Sequence, residues 1–125
     1  METISEQEIY FLTSLNASEE GSLIELRCEL AKWDIGTIDV SKIIESLIEQ
    51  DVILISERTI EGFSDYSKSE SVEISKTWDS CESHETMMFL TEQGENRWET
   101  DDWGITTKRV KHLMFSNLGK VTRVE

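Results

Sequence analysis

Apolar positions in the first half of the chain recur at helical spacing. Val40, Ile43, Ile44, Leu47 and Ile48 fall at i, i+3, i+4, i+7 and i+8, while Ser41, Lys42, Glu45, Ser46, Glu49 and Gln50 fill the opposite face. Asp51 closes this helix. The run Val52-Ile53-Leu54-Ile55 is too short and too rich in β-branched residues for another helix, and predicts a buried strand. Upstream, Ser5-Glu6-Gln7-Glu8 is a capping-box pattern opening a short helix, with Ile9, Leu12 and Leu15 on one side. Asn16 to Gly21 reads as a loop. Leu23, Leu26, Leu30 and Ala31 then predict a helix from about Ser22 to Trp33. Asp34-Ile35-Gly36-Thr37 breaks it, with Gly36 as the left-handed residue and Thr37 or Asp39 as the next N-cap.

Periodicity weakens in the second half. A polar tract runs from Ser64 to Ser71, and a short helix is expected between Ser69 and Lys76, whose first turn suits Ser69, Glu70 and Glu73. Thr86 to Thr91 reads as a strand, and Glu92 to Glu99 as a helix or helical turn. Thr106 to Leu118 admits two readings. One is a helix with Val110, Leu113 and Met114 apolar; the other is a hairpin turning at Asn117-Leu118-Gly119. The helix is preferred. Proline is absent, so turns fall to Gly, Asn, Asp and Ser, and no repeat interrupts the pattern.

Three short helices, a strand, a variable excursion and a returning strand make the order of a winged-helix domain. The segment Ile43-Ile44-Glu45-Ser46-Leu47-Ile48-Glu49-Gln50-Asp51-Val52-Ile53 resembles a winged-helix third helix running into its first wing strand, with Leu23-Ile24-Glu25-Leu26 on the helix before it. Asp51 holds the place of a Gly or polar residue that commonly precedes the strand in that family. Phe89-Leu90-Thr91-Glu92-Gln93-Gly94-Glu95-Asn96-Arg97-Trp98-Glu99 resembles the strand-to-helix segment after the wing in bacterial winged-helix proteins. The resemblance spans about residues 5–99. It implies a third helix that enters the DNA major groove, at positions carried here by Thr37, Asp39, Ser41, Lys42, Glu45 and Ser46.

Charge opposes that implication. The 125 residues carry 12 Lys and Arg against 26 Asp and Glu, a net charge of -14, with a mean hydropathy of -0.38. A field of that sign repels phosphate backbones and anionic lipid and attracts basic partners. On the would-be recognition helix Lys42 is the one cation, beside Asp39 and Glu45. The distribution is uneven. Residues 1–105 hold 7 Lys and Arg against 25 Asp and Glu, net -18, whereas residues 106–125 hold five against one, net +4. Lys108, Arg109, Lys111, Lys120 and Arg123 form this basic cluster. It is expected to pair with the acidic body, within the chain or across a homodimer, with nucleic-acid contact as the other reading. Glu25, Glu29, Asp39, Glu45 and Glu49 lie on the predicted exposed faces of neighbouring helices, where they would form one negative ridge that steers a basic protein partner.

Other chemistry is sparse. Asp79-Ser80-Cys81-Glu82-Ser83-His84-Glu85 collects ligand-type residues, yet a structural zinc site wants four ligands and only Cys81 and His84 are suitably spaced. Cys81 and His84 as nucleophile and base lack a recognisable orienting group. The six glycines are isolated, so no phosphate-binding loop is present. Trp33, Trp78, Trp98 and Trp103 are expected to cap the edges of a thin core with each indole N–H bonded; Trp98 and Trp103, beside Asp101 and Asp102, have a partner surface as their alternative. Two distant cysteines predict a reduced, cytoplasmic protein, and no apolar run or basic, apolar leader predicts a membrane span or signal peptide.

The expectation is therefore one α+β domain over residues 1–125, with a winged-helix-like three-helix core, a small antiparallel sheet and extra C-terminal structure. Its expected role is non-enzymatic, without metal or cofactor: binding of a basic protein partner, in the manner of small acidic immunity or inhibitor proteins. The alternative is a dimeric winged-helix transcriptional regulator in which Lys42, Lys108, Arg109, Lys111, Lys120 and Arg123 contact DNA.

Overall fold

Helix starts are written into short local motifs. The Ser5 hydroxyl accepts the Glu8 N–H while the Glu8 carboxylate accepts the Ser5 N–H, and this box opens α1, Glu6–Ser18. Ser22 and Glu25 repeat the device for α2, Leu23–Leu30. Asp39, rather than Thr37, caps α3, Val40–Glu49. The computed structural model describes residues 1–100 and 103–122, with side chains through Met114. After α3 come β1 (Ile53–Thr59), β2 (Gly62–Asp65), α4 (Lys68–Ser75), a 3-10 turn (Trp78–Ser80), β3 (Thr86–Leu90), α5 (Glu92–Thr100) and α6 (Thr107–Thr122). The fold is α+β. Residues 107–122 are helical, so the hairpin reading of that segment is set aside.

The sheet is antiparallel with strand order β2-β1-β3. Ile53 and Ile55 of β1 pair with Leu90 and Met88 of β3, and Ile53, Ile55 and Met88 are buried in the core. The corner between α1 and α2 hangs on the far side of β3, where Ser22 bridges Met87 and the Met88 N–H donates to the Gly21 carbonyl at 2.8 Å. All five stripe residues of α3 are buried. The core continues through Ile9 and Leu12 of α1, Leu23, Leu26 and Leu30 of α2, and Leu113 of α6.

Two junctions depend on unusual backbone. Asp51 takes a φ of 59° just past α3, the left-handed end that releases the chain into β1. At Gly94 a Cβ would lie 1.9 Å from the Val52 carbonyl oxygen, so α5 crosses the start of β1 with no side chain between them. Thr91 fastens the same crossing: its N–H donates to Val52 O at 3.0 Å, and its hydroxyl accepts the Gly94 N–H at 2.9 Å.

Trp33 departs from expectation. Trp33 is buried, yet its indole N–H has no hydrogen-bond partner; its ring meets the His112 ring edge-on at 6.0 Å. Trp98 stacks on Phe11 at 5.4 Å and lies 6.0 Å from the buried Trp103, whose face carries the Arg97 guanidinium at 4.8 Å. Trp98 and Trp103 thus join α5 and the segment after it to α1. Asp101 and Asp102 lie outside the described residues. No helix among the described residues is long and apolar enough to cross a membrane.

Candidate interaction surfaces

Two of the predicted acidic residues come together. Glu25 and Glu29 of α2 line a groove of about 610 Å³ against α1, whose floor includes Leu12, Leu15 and Ile24. Glu19, from the end of α1, adds a third carboxylate, and Cys28, Lys32 and His84 also line the groove. Glu25 remains exposed although its carboxylate also accepts the Ser22 N–H at 3.0 Å. Glu29 is not on an open face as expected. Its side chain is only 12% exposed, and the Lys32 ammonium lies 2.9 Å from its carboxylate. A groove with an apolar floor and carboxylates around it suits a side chain combining an aliphatic stem with a cationic head.

The remaining ridge residues do not line this groove. Asp39 is committed to helix capping: Ser41 donates both its N–H (3.1 Å) and its hydroxyl (2.7 Å) to the Asp39 carboxylate. The Ser41 hydroxyl, more than any nearby charge, holds this carboxyl below its ordinary range. Glu45 is half-buried on α3 and Glu49 is exposed at the end of that helix, where α4 packs alongside. Of the five predicted ridge residues, Glu25 and Glu29 line the α1–α2 groove, whereas Asp39, Glu45 and Glu49 belong to α3 and its cap. Helix α2 packs on α1, β3 and the 3-10 turn, and α3 packs on α1, α4 and β1.

One residue of the basic segment, Arg109, pairs with the acidic body of its own chain. The Arg109 guanidinium donates Nε to Glu8 Oε2 and Nη1 to Glu2 Oε2, and reaches Glu8 Oε1 (3.3 Å) and the Thr3 carbonyl (3.4 Å) through Nη2. His112 meets Glu2 at 2.8 Å. Arg109 hydrogen bonds, ahead of those from His112, pull the Glu2 carboxyl down. For Glu8, burial pushes the carboxyl up, but the Arg109 and Ser5 hydrogen bonds outweigh it and the net direction is down. The same carboxylates raise Arg109 further above its ordinary value. Sequence reasoning assigned Glu8 to the cap alone; its second oxygen was free for Arg109, and nothing in local spacing signals a partner 101 residues away. Lys108 and Lys111 are exposed on α6, as is Lys42 on α3. Arg123 and the side chain of Lys120 lie outside what the structure describes.

The Cys81–His84 loop is held by Arg27 of α2, whose Nη1 donates to the carbonyls of Asp79 (2.6 Å) and Cys81 (3.0 Å). Cys81 and Cys28 are both unpaired. No group of three or more metal-ligating side chains occurs among the described residues. Comparison with models of known protein families, with curated proteins and with solved structures yields no match.

Proposed function

We propose that this chain is a non-enzymatic protein-binding module whose α1–α2 groove receives a basic partner, as an immunity or inhibitor protein would. The observation that carries the proposal is the groove itself, where the exposed Glu19 and Glu25 flank an apolar floor and Glu29 is paired with Lys32. An acidic surface on a body of net charge -14 speeds encounter with a cationic site and disfavours acidic competitors. The unpaired Cys28 and Cys81 support a cytoplasmic setting. The order α1, α2, α3, β1 and returning β3, with β2 and α4 as the excursion, supports the winged-helix resemblance.

Co-purification from the native cell, followed by binding of the purified partner to a Glu19→Gln/Glu25→Gln variant, tests the proposal. Glutamine at 25 keeps the capping box while deleting the charge. The expected result is a basic partner whose affinity falls in the variant. Recovery of acidic partners alone, or a basic partner indifferent to both substitutions, defeats it.

The exposed Lys42, Lys108 and Lys111 favour a second reading, a regulator contacting DNA phosphates. It has one fewer cation than expected, because Arg109 is engaged by Glu2 and Glu8. Retention on duplex DNA across a salt series decides it: absence of binding at low salt, where phosphate contacts are strongest, excludes it.

A further inference from the structure

Two of the four exposed large hydrophobic side chains among the described residues, Ile60 and Phe63, sit on the β1–β2 hairpin. Strand alternation sets Phe63 on the sheet face away from the core, together with Leu54, Met87, Phe89 and its cross-strand partner Arg58, whose guanidinium is paired with Glu85 at 2.5 Å. Phe63 packs edge-on against Phe89 at 4.9 Å and remains 54% exposed. Next to this pair lies a groove of about 350 Å³, floored by Ala17, Leu54 and Phe89 and rimmed by Glu20, Asp65 and Glu95. Glu20, Asp65 and Glu95 make no ion pair among the described residues. The end of α1 adds to the negative potential, since its last turn carries no basic residue and its terminal carbonyls bear partial negative charge.

We propose that this outer sheet face is a docking site for a basic amphipathic segment of a partner protein. An apolar side chain of that segment rests on Leu54 and Phe89 beside Phe63, and the adjoining Lys or Arg enters between Glu20, Asp65 and Glu95. Charge selects this occupant. A neutral peptide would leave the carboxylates without a counter-charge, and a second copy of this chain would bring another net -14. The site is separate from the α1–α2 groove and stands whether or not that groove has a partner.

Amide chemical-shift mapping with a blocked hexapeptide alternating leucine and arginine, against its leucine–glutamate counterpart, provides the test. The arginine peptide is expected to shift the amides of Leu54, Phe63, Phe89 and Glu95, and to bind about tenfold more weakly to Glu20→Gln/Asp65→Asn/Glu95→Gln, as three partly exposed ion pairs would allow. Asparagine at 65 can still accept the Ser56 hydroxyl, which donates to Asp65 at 2.8 Å, so this variant keeps its hairpin. Phe63→Ser is expected to weaken binding as well, whereas Glu19→Gln/Glu25→Gln leaves it unchanged. Shifts confined to the α1–α2 groove, equal binding of the glutamate peptide, no shifts at millimolar peptide, full affinity in the triple variant, or shifts that track self-association would each overturn the proposal.

Discussion

Replacing Gly94 by alanine tests how α5 is seated. The added Cβ would lie 1.9 Å from Val52 O and 2.8 Å from Val52 C, so helix and strand must separate by more than an ångström to reach even 3.0 Å. Both obstructing atoms are backbone at the start of the central strand, where no rotamer change can relieve the clash. Overpacking of this kind costs about 1–3 kcal/mol. Separation also stretches the Thr91 N–H bond to Val52 O, now 3.0 Å, which adds about 1 kcal/mol. Against this, alanine is the better helix former by about 1 kcal/mol. The net expectation is a destabilisation of about 2 kcal/mol, or a melting temperature lower by roughly 8 °C for a domain of this size. Thermal unfolding followed by circular dichroism, with urea titration to check that the m-value is unchanged, measures it. A Gly94→Ala protein melting at or above the wild-type temperature would refute the reasoning, because it would mean the crossing opens freely.

Arg109→Met should lower stability by about 1–2 kcal/mol at neutral pH in urea titration, since it leaves the largely buried Glu8 carboxylate without its cation. The folded-state pKa values of Glu2 and Glu8 are depressed, so the clasp's stabilisation is complete above the unfolded carboxylate value and disappears as pH falls through the folded values. The stability gap between wild type and Arg109→Met should therefore narrow below about pH 4; a gap constant from pH 7 to pH 3 would contradict the assignment. Ser22→Ala deletes the cap of α2 and should cost about 1 kcal/mol, read from the urea midpoint. Asp51→Gly should raise the melting temperature slightly, because relief of a left-handed aspartate, about 1 kcal/mol, exceeds the loss of its exposed 2.7 Å pair with Lys68.

Local rules carried the reading where the deciding interactions were local. The stripe from Val40 to Ile48 is buried as its spacing implied, and the Ser5–Glu8 box forms as written. Strand β3 lies within one residue of its expected limits, and α4 starts one residue early because Ser67 supplies a cap through a box with Glu70. Strand β2 went unread: its four residues, Gly62 to Asp65, lie at the sheet edge and bury no side chain, so no alternation marks them. Site residues fared differently. Glu25 and Glu29 share a groove because they are one turn apart on α2, which spacing can show. That Glu19 and His84 join them depends on how the α1–α2 corner hangs from β3, a long-range contact without a periodic signature.

The clasp of Arg109 on Glu2 has a kinetic consequence. It joins residues 107 apart in sequence, so closing it encloses nearly every other element in one loop, and its entropic cost is repaid only once the intervening core is in place. Helix α6 should accordingly dock last in refolding and detach first under native conditions, exchanging its amide hydrogens by a smaller opening than α1 or α3 requires. Until it docks, Glu2 and Glu8 lack the cation that Arg109 supplies in the folded chain. A folding chain would thus pass through a state more acidic at its surface than the finished protein.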